Sequence, residues 1–342
     1  MAGHDGWVPS NPERLNDEQL MQRAIGAAAM ARTRTSPNPW VGAGLLTIDG
    51  DLHTGATEPP GGAHAEIVAL HAAGAAARGA TLATTLEPCG HHGRTGPCTE
   101  AIIDAGVQRV LIGVLDPDPN VAGTGVEQLS AAGVDVEIGV AADAVEEQLA
   151  PYLHHRRTGR PWVVLKWGAS LDGRTAAPDA SSQWITSAAA RTDAHRLRSE
   201  SDAIVVGAAT VRADDPSLTT RLVEGPSPRR VVLGEAPTGA AVHPCLEWQG
   251  TVTDLLDQLG EDGVIQLMVE GGAHVFAQFV AARLVDRVVA YVAPAMFAGD
   301  DARPIFAGPG AGTIGDLTRG RFIDVRPVGP DLRIEYAPTF AN

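Results

Sequence analysis

The chain has 342 residues, of which 44% are hydrophobic, 20% charged and 4% aromatic, an ordinary globular composition that is long enough for two domains. No apolar stretch approaches the roughly 18 residues of a membrane-spanning helix, and the first residues lack the pattern of a secretory signal. The formal net charge of −15 argues against nucleic acid or an anionic membrane as the main partner, because phosphate backbones are bound by basic surfaces. A small phosphorylated ligand needs only a few local cationic side chains and stays compatible.

The first half of the chain alternates predicted helices with predicted strands. Apolar residues recur at helical spacing from Asp17, with Asn16 or Asp17 as the cap, and S-P-N-P-W ends that helix. Further helices are predicted from about residue 63, through 101–105, near 126–132 and over 142–153. Strands are predicted from residue 41 and over 81–87, 108–115 and 134–138. This alternation predicts a parallel α/β sheet.

A basic segment with Gly and Pro, H-H-R-R-T-G-R-P at residues 154–161, is predicted to separate two domains, which we place at 14–155 and 161–342. Helices are then predicted over 187–201, 252–259 and 275–284, and strands over 162–168, 203–207, 230–233 and 264–270. Three strand-like segments with few helices between them end the chain. The second half is therefore predicted to be an α/β domain of a different plan.

The three cysteines indicate a reduced, cytoplasmic protein, because secreted disulfide scaffolds carry more cysteines and in even number. Cys89 and Cys98 share one segment rich in Gly and Pro, whereas Cys245 stands alone. The many Ala and Gly residues predict close packing of helices. They are also compatible with a homo-oligomer, whose size the sequence does not define.

The strongest chemical signal is H-A-E followed by P-C-G-H-H-G-R-T-G-P-C. His64, Cys89 and Cys98 supply one imidazole and two thiols, the ligand types that Zn²⁺ prefers, and three protein ligands leave the fourth position of a catalytic site open. Glu66 stands where zinc nucleobase deaminases, with their H-x-E and P-C-x-x-C signature, carry a proton carrier that is not a ligand. In this chain, eight residues rather than two separate the cysteines.

Other interpretations of the same residues stay open. A lone histidine on a helix is more often a core or surface residue than a metal ligand. The two cysteines together with His91 and His92 also suit a purely structural zinc site. The order His, Glu, Pro-Cys and Cys, on predicted strand-to-helix junctions, favours the catalytic interpretation.

Four segments together resemble the deaminase half of the bifunctional riboflavin-biosynthesis deaminase–reductase family: P-N-P-W-V-G, H-A-E, T-L-E-P-C-G-H-H-G-R-T-G-P-C and D-P-D-P-N-V-A-G-T-G. The resemblance implies a cytidine-deaminase-like α/β/α sandwich with Zn²⁺ on His64, Cys89 and Cys98 and a proton shuttle at Glu66. It implies hydrolytic deamination of 2,5-diamino-6-ribosylamino-4(3H)-pyrimidinone 5′-phosphate. Asn38 matches the family's base-recognition position, with turn capping as the alternative.

The loop between the two cysteines also carries Arg94. This arginine is a candidate phosphate contact, with a solvated loop arginine as the alternative.

The second half resembles the reductase half of the same family through K-W-G-A-S-L-D-G-R-T-A, S-S-Q-W-I-T-S, R-T-D-A-H-R-L-R and V-V-G-A-A-T-V-R-A-D-D-P-S-L-T-T-R, in that order. The resemblance implies a dihydrofolate-reductase-like α/β domain that uses NADPH to reduce the ribosyl group to a ribityl chain. The implied cofactor contacts are Gly168, Trp184, Thr210, Asp214 and Gly272. The implied substrate contacts are Ser182, Arg198, Leu218, Arg221 and Glu270.

The residues of the second half are compatible with these roles. L-M-V-E-G-G-A-H predicts a strand that runs through glycines into a helix, where a backbone can approach a pyrophosphate, although a turn without a ligand has the same pattern. Arg198 and Arg221 offer guanidinium groups to a phosphate, or are routine helix and loop arginines.

Three features depart from the family pattern. Thr57 stands seven residues before His64, where many relatives carry a histidine. Glu235 follows V-V-L-G where a small polar residue is expected, and a carboxylate beside a 2′-phosphate would blur the preference for NADPH over NADH. Residues 239–263 are short for the family, which predicts that one peripheral element is missing.

Two other functions stay open on the sequence. One is a zinc deaminase of free bases or nucleosides with a degenerate second domain. The other is a non-catalytic binding protein with a structural zinc site.

Overall fold

The computed structural model describes residues 15–91, 96–119 and 121–340, so Arg94 lies outside the described residues. The chain divides into two compact units between Leu149 and Ala150. The segment predicted to separate the domains is helical as far as Thr158, and the helix predicted to end at residue 153 therefore continues through it. The domain limits of 14–155 and 161–342 remain predictions. No described helix is long and apolar enough to cross a membrane.

The first unit is built on a five-stranded sheet with the strand order β2-β1-β3-β4-β5. Its strands are β1 (Gly42–Leu46), β2 (Leu52–Ala56), β3 (Thr81–Leu86), β4 (Arg109–Val114) and β5 (Asp135–Ile138). Its helices are α1 (Asp17–Ala31), α2 (Ala65–Ala73), α3 (Cys98–Asp104) and α4 (Thr124–Ala131), and α5 (Ala142–Thr158) contains the division between the units.

Glycines allow α1 and α2 to lie directly on opposite faces of this sheet. A Cβ atom on Gly42 of β1 would stand 1.9 Å from the Ala24 carbonyl oxygen of α1, and one on Gly55 of β2 would stand 2.1 Å from the Ala65 carbonyl oxygen of α2. Gly55 pairs with Ala43, and successive residues of a strand point to opposite faces. The close packing predicted from the Ala and Gly content, and the three-layer α/β/α sandwich, are therefore present.

The first sheet is mixed, so the prediction of a parallel sheet was wrong for part of it. β3, β4 and β5 are parallel, whereas β1 is antiparallel to both β2 and β3. The cause is the short β1–β2 hairpin, because parallel neighbours need a long crossover. β2 was not predicted because L-H-T-G-A has little apolar character, and its first three residues are at least partly exposed.

The second unit is built on an eight-stranded sheet with the order β10-β9-β8-β11-β6-β12-β15-β14. The strands are β6 (Trp162–Ser170), β7 (Arg174–Ala176), β8 (Ala203–Gly207), β9 (Arg229–Leu233), β10 (Leu246–Trp248), β11 (Gln266–Gly271), β12 (Arg287–Ala293), β13 (Arg303–Pro304), β14 (Arg319–Val328) and β15 (Asp331–Thr339). The helices are α6 (Ala188–Ser199), α7 (Ala208–Asp214), α8 (Val252–Glu261) and α9 (Ala273–Ala281). β7 and β13 form a separate pair.

Both faces of the central strands are buried. Val163 and Leu165 of β6 belong to a core that includes Leu255 of α8 and Phe279 of α9. Val164, between them, belongs to a second core that includes residues of α6 and α7. Six neighbouring strands of the sheet are parallel to one another, namely β10, β9, β8, β11, β6 and β12. β15 is antiparallel to both of its neighbours, β12 and β14. Ligand sites of such sheets lie beyond the carboxyl ends of the parallel strands.

Candidate active sites

The three predicted metal ligands converge in the first unit. His64 is the N-cap residue of α2, Cys89 lies on the loop after β3, and Cys98 begins α3. The His64 Nδ1 atom lies 3.2 Å from the Cys98 Sγ atom and 3.5 Å from the Cys89 Sγ atom. Neighbouring corners of a tetrahedron with zinc bond lengths are about 3.5–3.8 Å apart. The donor types and their spacing therefore fit zinc.

The two sulfur atoms are polarised against each other. A hydrogen bond from the Cys98 thiol lowers the pKa of Cys89 to about 4, and the Cys98 backbone N–H also donates to the Cys89 sulfur over 3.4 Å. The Cys89 sulfur in turn raises the pKa of Cys98, and its hydrogen bond raises the pKa of His64. A divalent cation would allow both sulfurs to be thiolates at once.

Glu66 lies beside this cluster without being one of the three converging ligands. It is in the first turn of α2 with only 3% of its surface exposed, and its negative charge helps to raise the pKa of the Cys98 thiol. Burial raises the pKa of Glu66 to about 7. A carboxyl group with a pKa near neutrality can both accept and release a proton.

A buried carboxylate, Glu87, connects the segment before the cysteine loop to the start of α4. Its Oε1 atom accepts the N–H of Gly125 over 3.0 Å, and its Oε2 atom accepts the N–H of Gly123 over 3.0 Å. A Cβ atom on Gly125 would stand 2.0 Å from the Pro88 carbonyl oxygen. The T-L-E-P-C segment and the start of α4 are thereby held in contact.

Gln128 makes a second connection from α4. Its amide nitrogen donates to the Gly90 carbonyl over 2.9 Å, and its amide oxygen accepts the Thr99 hydroxyl over 2.7 Å. Thr99 directly follows Cys98. The loop carrying Cys89 and the helix carrying Cys98 are therefore both tied to α4.

Two further residues of the first unit have defined backbone contacts. Asn38 is half-buried on the loop between α1 and β1, where its N–H donates to the Thr35 carbonyl over 2.8 Å. Its base-recognition role remains a prediction. The Thr57 hydroxyl is buried and accepts the Val41 N–H over 3.2 Å. This side chain therefore links the residue before β1 to the residue after β2.

The second unit contains a buried ion pair between two predicted substrate residues. Arg198 donates from Nε and Nη2 to the two carboxylate oxygens of Glu270 over 2.5 and 2.7 Å, and from Nη1 to the Thr219 carbonyl over 3.2 Å. Lys166 places its Nζ atom 3.9 Å from Glu270. Burial would raise the pKa of Glu270, but the charges of Lys166 and Arg198 outweigh burial and lower the pKa to about 2.

His195 joins this cluster from the same face of α6 as Arg198. Its Nδ1 atom accepts the Arg221 backbone N–H over 3.0 Å, and its Nε2 atom lies 3.4 Å from Nη1 of Arg198. Burial, together with the charges of Arg198 and Arg221, lowers the pKa of His195 to about 4. The ring is therefore neutral at pH 7. The Arg221 guanidinium donates to Ser217 over 3.1 Å on an exposed stretch, and Leu218 is buried with a φ of +53°.

The predicted cofactor residues fall at the ends of parallel strands. Gly272 is the N-cap residue of α9, and its N–H donates to the Thr210 hydroxyl over 3.2 Å. A Cβ atom on Gly272 would stand 3.1 Å from that hydroxyl, and one on Gly168 of β6 would stand 3.0 Å from Thr186. The two glycines thus keep backbone accessible at positions that a larger residue would crowd.

The remaining predicted residues lie on the segment before α6 and at the end of α7. The Ser182 hydroxyl donates to Asp214 over 3.3 Å. Trp184 is 62% exposed, and the Arg191 guanidinium lies 4.4 Å from its ring centre. An exposed ring, a helix N terminus and open glycine backbone together fit a nicotinamide dinucleotide.

Comparison with known families assigns both units. Residues 14–114 match the cytidine and deoxycytidylate deaminase zinc-binding region, and residues 161–334 match the RibD C-terminal domain. The riboflavin biosynthesis protein RibD of Bacillus amyloliquefaciens is 38% identical over 94% of this chain and 96% of its own length. The chain belongs to the RibD family.

Two solved structures are similar to this RibD-family chain over nearly its whole length. RibD of Acinetobacter baumannii has a TM-score of 0.87 at 34% identity and covers 95% of this chain and 99% of its own. A diaminohydroxyphosphoribosylaminopyrimidine deaminase/5-amino-6-(5-phosphoribosylamino)uracil reductase from Thermotoga maritima has a TM-score of 0.87 at 31% identity and covers 94% and 98%. The predicted fold, with a cytidine-deaminase-like unit before a RibD reductase unit, is confirmed. The chain is a bifunctional deaminase and reductase of riboflavin biosynthesis.

Three residues of these sites were not predicted from the sequence of this RibD-family chain. Lys166 interrupts an apolar strand, W-V-V-L-K-W-G, and a charge in such a strand was the available signal. His195 lies three residues before Arg198 and hence on the same helix face. Glu87 directly follows the buried strand β3, and nothing in the sequence shows that its partners are backbone amide groups 29 to 39 residues later.

Proposed function

We propose that the first unit hydrolytically deaminates 2,5-diamino-6-ribosylamino-4(3H)-pyrimidinone 5′-phosphate at a zinc ion held by His64, Cys89 and Cys98. The observation that carries the proposal is the convergence of these three ligand atoms within 4.8 Å of one another. These residues would hold a zinc ion that, when bound, would make a water molecule a nucleophile at neutral pH. The buried carboxyl group of Glu66 is suited to move the proton to the leaving ammonia, and Asn38 is suited to read the base through its amide.

We propose that the second unit reduces the ribosyl group of the deaminated product to a ribityl chain with NADPH. The nicotinamide supplies the hydride, so the protein mainly binds and orients. Gly168, Thr210 and Gly272 would receive the cofactor together with Trp184 and Asp214. Ser182, Leu218 and Glu270 would contact the substrate beside them.

The charges around Glu270 support a phosphorylated substrate. Lys166, Arg198 and Arg221 carry three positive charges against one carboxylate in this cluster. Because the fork of Arg198 is engaged by Glu270, Arg221 is the better phosphate ligand of the two arginines. Arg198 would act by holding Glu270 in place.

The choice of nicotinamide cofactor is open to a direct test at Glu235. This residue is exposed on the loop after β9, where its carboxylate accepts the Gln249 amide over 3.2 Å. Removing one like charge near a 2′-phosphate is worth about 1 kcal/mol, or roughly a five-fold change in binding. We expect Glu235→Ser to raise the NADPH-to-NADH ratio of kcat/KM by that factor, with Glu261→Gln on α8 as the control. An unchanged ratio would show that Glu235 does not lie near the 2′-phosphate of the bound cofactor.

The deaminase proposal is tested with the full chain and its pyrimidinone substrate. Ammonia release and zinc content are measured for the wild type and for Glu66→Gln. We expect the wild type to release ammonia, and Glu66→Gln to keep its zinc while losing at least 100-fold in rate. Release of ammonia from cytidine or guanine alone would support a nucleoside or free-base deaminase. Zinc retention without deamination by the wild type would support a structural zinc site.

A further inference from the structure

A second group of metal-binding side chains lies in the reductase unit. Among the described residues, two groups of three converge: the deaminase cluster, and His243, Cys245 and Glu247. In this second group, the ligand atoms again lie within 4.8 Å of one another. We propose that His243, Cys245 and Glu247 bind a second zinc ion. This inference does not depend on the substrates proposed above.

The local chain conformation brings the three side chains together. Cys245 and Glu247 are two residues apart at the entry to β10, where every second residue points to the same side. The chain bends at Pro244, and His243 lies on the other side of this bend with its ring facing Cys245. The His243 Nδ1 atom lies 3.5 Å from the Cys245 Sγ atom, the same separation as between His64 and Cys89. A zinc tetrahedron places nitrogen and sulfur ligands about 3.5 Å apart.

The imidazole of His243 is already in the tautomer that a metal requires. Its Nε2 atom lies 3.1 Å from the Pro237 carbonyl oxygen. A carbonyl oxygen only accepts, so Nε2 carries the proton. In the neutral ring, Nδ1 then has the free electron pair and faces Cys245. Metal-binding histidines are usually oriented by such a bond from their other nitrogen.

Glu247 is oriented in a similar way. Its Oε1 atom accepts the Ala236 N–H over 3.1 Å, which fixes the carboxylate and leaves Oε2 as the second oxygen. The bonds of His243 and Glu247 both reach the loop that follows β9. A metal at this site would therefore join that loop to β10 at the edge of the sheet.

The donor set selects the class of metal. One thiolate, one imidazole and one carboxylate suit zinc and related transition metals, whereas Mg²⁺ and Ca²⁺ take oxygen ligands alone. His243 and Glu247 are exposed and Cys245 is half-buried, whereas Cys98 in the deaminase cluster is fully buried. We expect the second zinc ion to exchange faster and to be removed first by a chelator.

The test is the number of zinc ions bound by the full chain after metal removal and reloading with Zn²⁺. We expect two equivalents in the wild type and one in both Cys245→Ser and His243→Asn, with ammonia release unchanged in these variants. His71→Asn, an exposed histidine on α2, should keep two equivalents. Cys89→Ser should lose the zinc ion of the deaminase cluster and keep the zinc ion bound by His243, Cys245 and Glu247.

Cobalt provides an independent readout, because thiolate coordination gives Co²⁺ a near-ultraviolet charge-transfer band. The second equivalent of Co²⁺ should add such a band in the wild type and none in Cys245→Ser. A wild type that binds a single equivalent, or a Cys245→Ser variant that binds two with the same spectrum, would overturn the proposal.

Discussion

Glu270 is the residue on which the charged side chains of the reductase site depend. Its carboxylate is 9% exposed and binds Arg198 through two hydrogen bonds, with Lys166 close by. Removing one partner of a buried ion pair leaves the other charge without compensation, which typically costs about 3–5 kcal/mol. The same carboxylate is a proposed substrate contact, so stability and reduction share one group.

We expect Glu270→Gln to lower the free energy of unfolding of the second unit by about 3–5 kcal/mol at pH 7. The folded pKa of about 2 lies below the ordinary value of 4.5. The stabilisation is therefore complete above pH 4.5 and is lost as the pH falls towards 2. Urea unfolding at several pH values should show the difference between wild type and variant shrinking in acid. Glu261→Gln should change little at any pH, and an equal effect of both variants would contradict this role.

Residue types with a distinctive chemistry were predictable from the sequence, and their partners were not. The convergence of His64, Cys89 and Cys98 was predictable, because each residue type is a common metal ligand and each residue stands at a junction between predicted elements. Arg198 looked like a phosphate ligand because of its guanidinium alone. Its pairing with Glu270 joins residues 72 positions apart, and only the parallel sheet brings α6 and β11 together.

At the scale of elements, the contact between α4 and the cysteine loop positions the metal ligands. Glu87 accepts hydrogen bonds from backbone amide groups at the start of α4. Gly125 allows the helix to lie close to the Pro88 carbonyl because it has no side chain. The helix therefore acts through the loop rather than by contact with the metal. Residues that orient metal ligands in this way commonly change affinity by about 10–100-fold.

We expect Gly125→Ala to lower zinc affinity about 10–100-fold, because its Cβ atom would stand 2.0 Å from the Pro88 carbonyl oxygen. Gly26→Ala in α1 is the matched control, since nothing lies within 4 Å of its Cβ position. That change should leave zinc affinity alone and stabilise the helix by up to about 1 kcal/mol. Competition with a chelator measures both variants. Equal zinc affinities would contradict the role of the helix contact.

Long elements with strong apolar patterns were predicted within a few residues, and short polar ones were missed. The helix predicted from Asp17 does begin there, with the capping box formed by Asn16 and Gln19. α7 was missed because it follows β8 without a break and has only seven residues. Residues 239–263 contain both β10 and α8, so the segment that looked short still provides a strand and a helix.

At the scale of the whole molecule, each unit has its own sheet and its own candidate site. The deaminase cluster draws its residues from α2, the loop after β3 and α3, all within the first unit. The reductase cluster draws its residues from β6, α6 and β11 within the second. A change at one chemical step should consequently leave the other step intact.

The most direct measurement of this division of labour uses Glu66→Gln with NADPH and two substrates in separate assays. With the deaminated phosphoribosylamino compound, we expect the variant to oxidise NADPH at the wild-type rate. With the diamino precursor, we expect the wild type to oxidise NADPH and the variant to leave it unchanged. Oxidation of NADPH by Glu66→Gln on the diamino precursor, or loss of oxidation on the deaminated compound, would contradict the account.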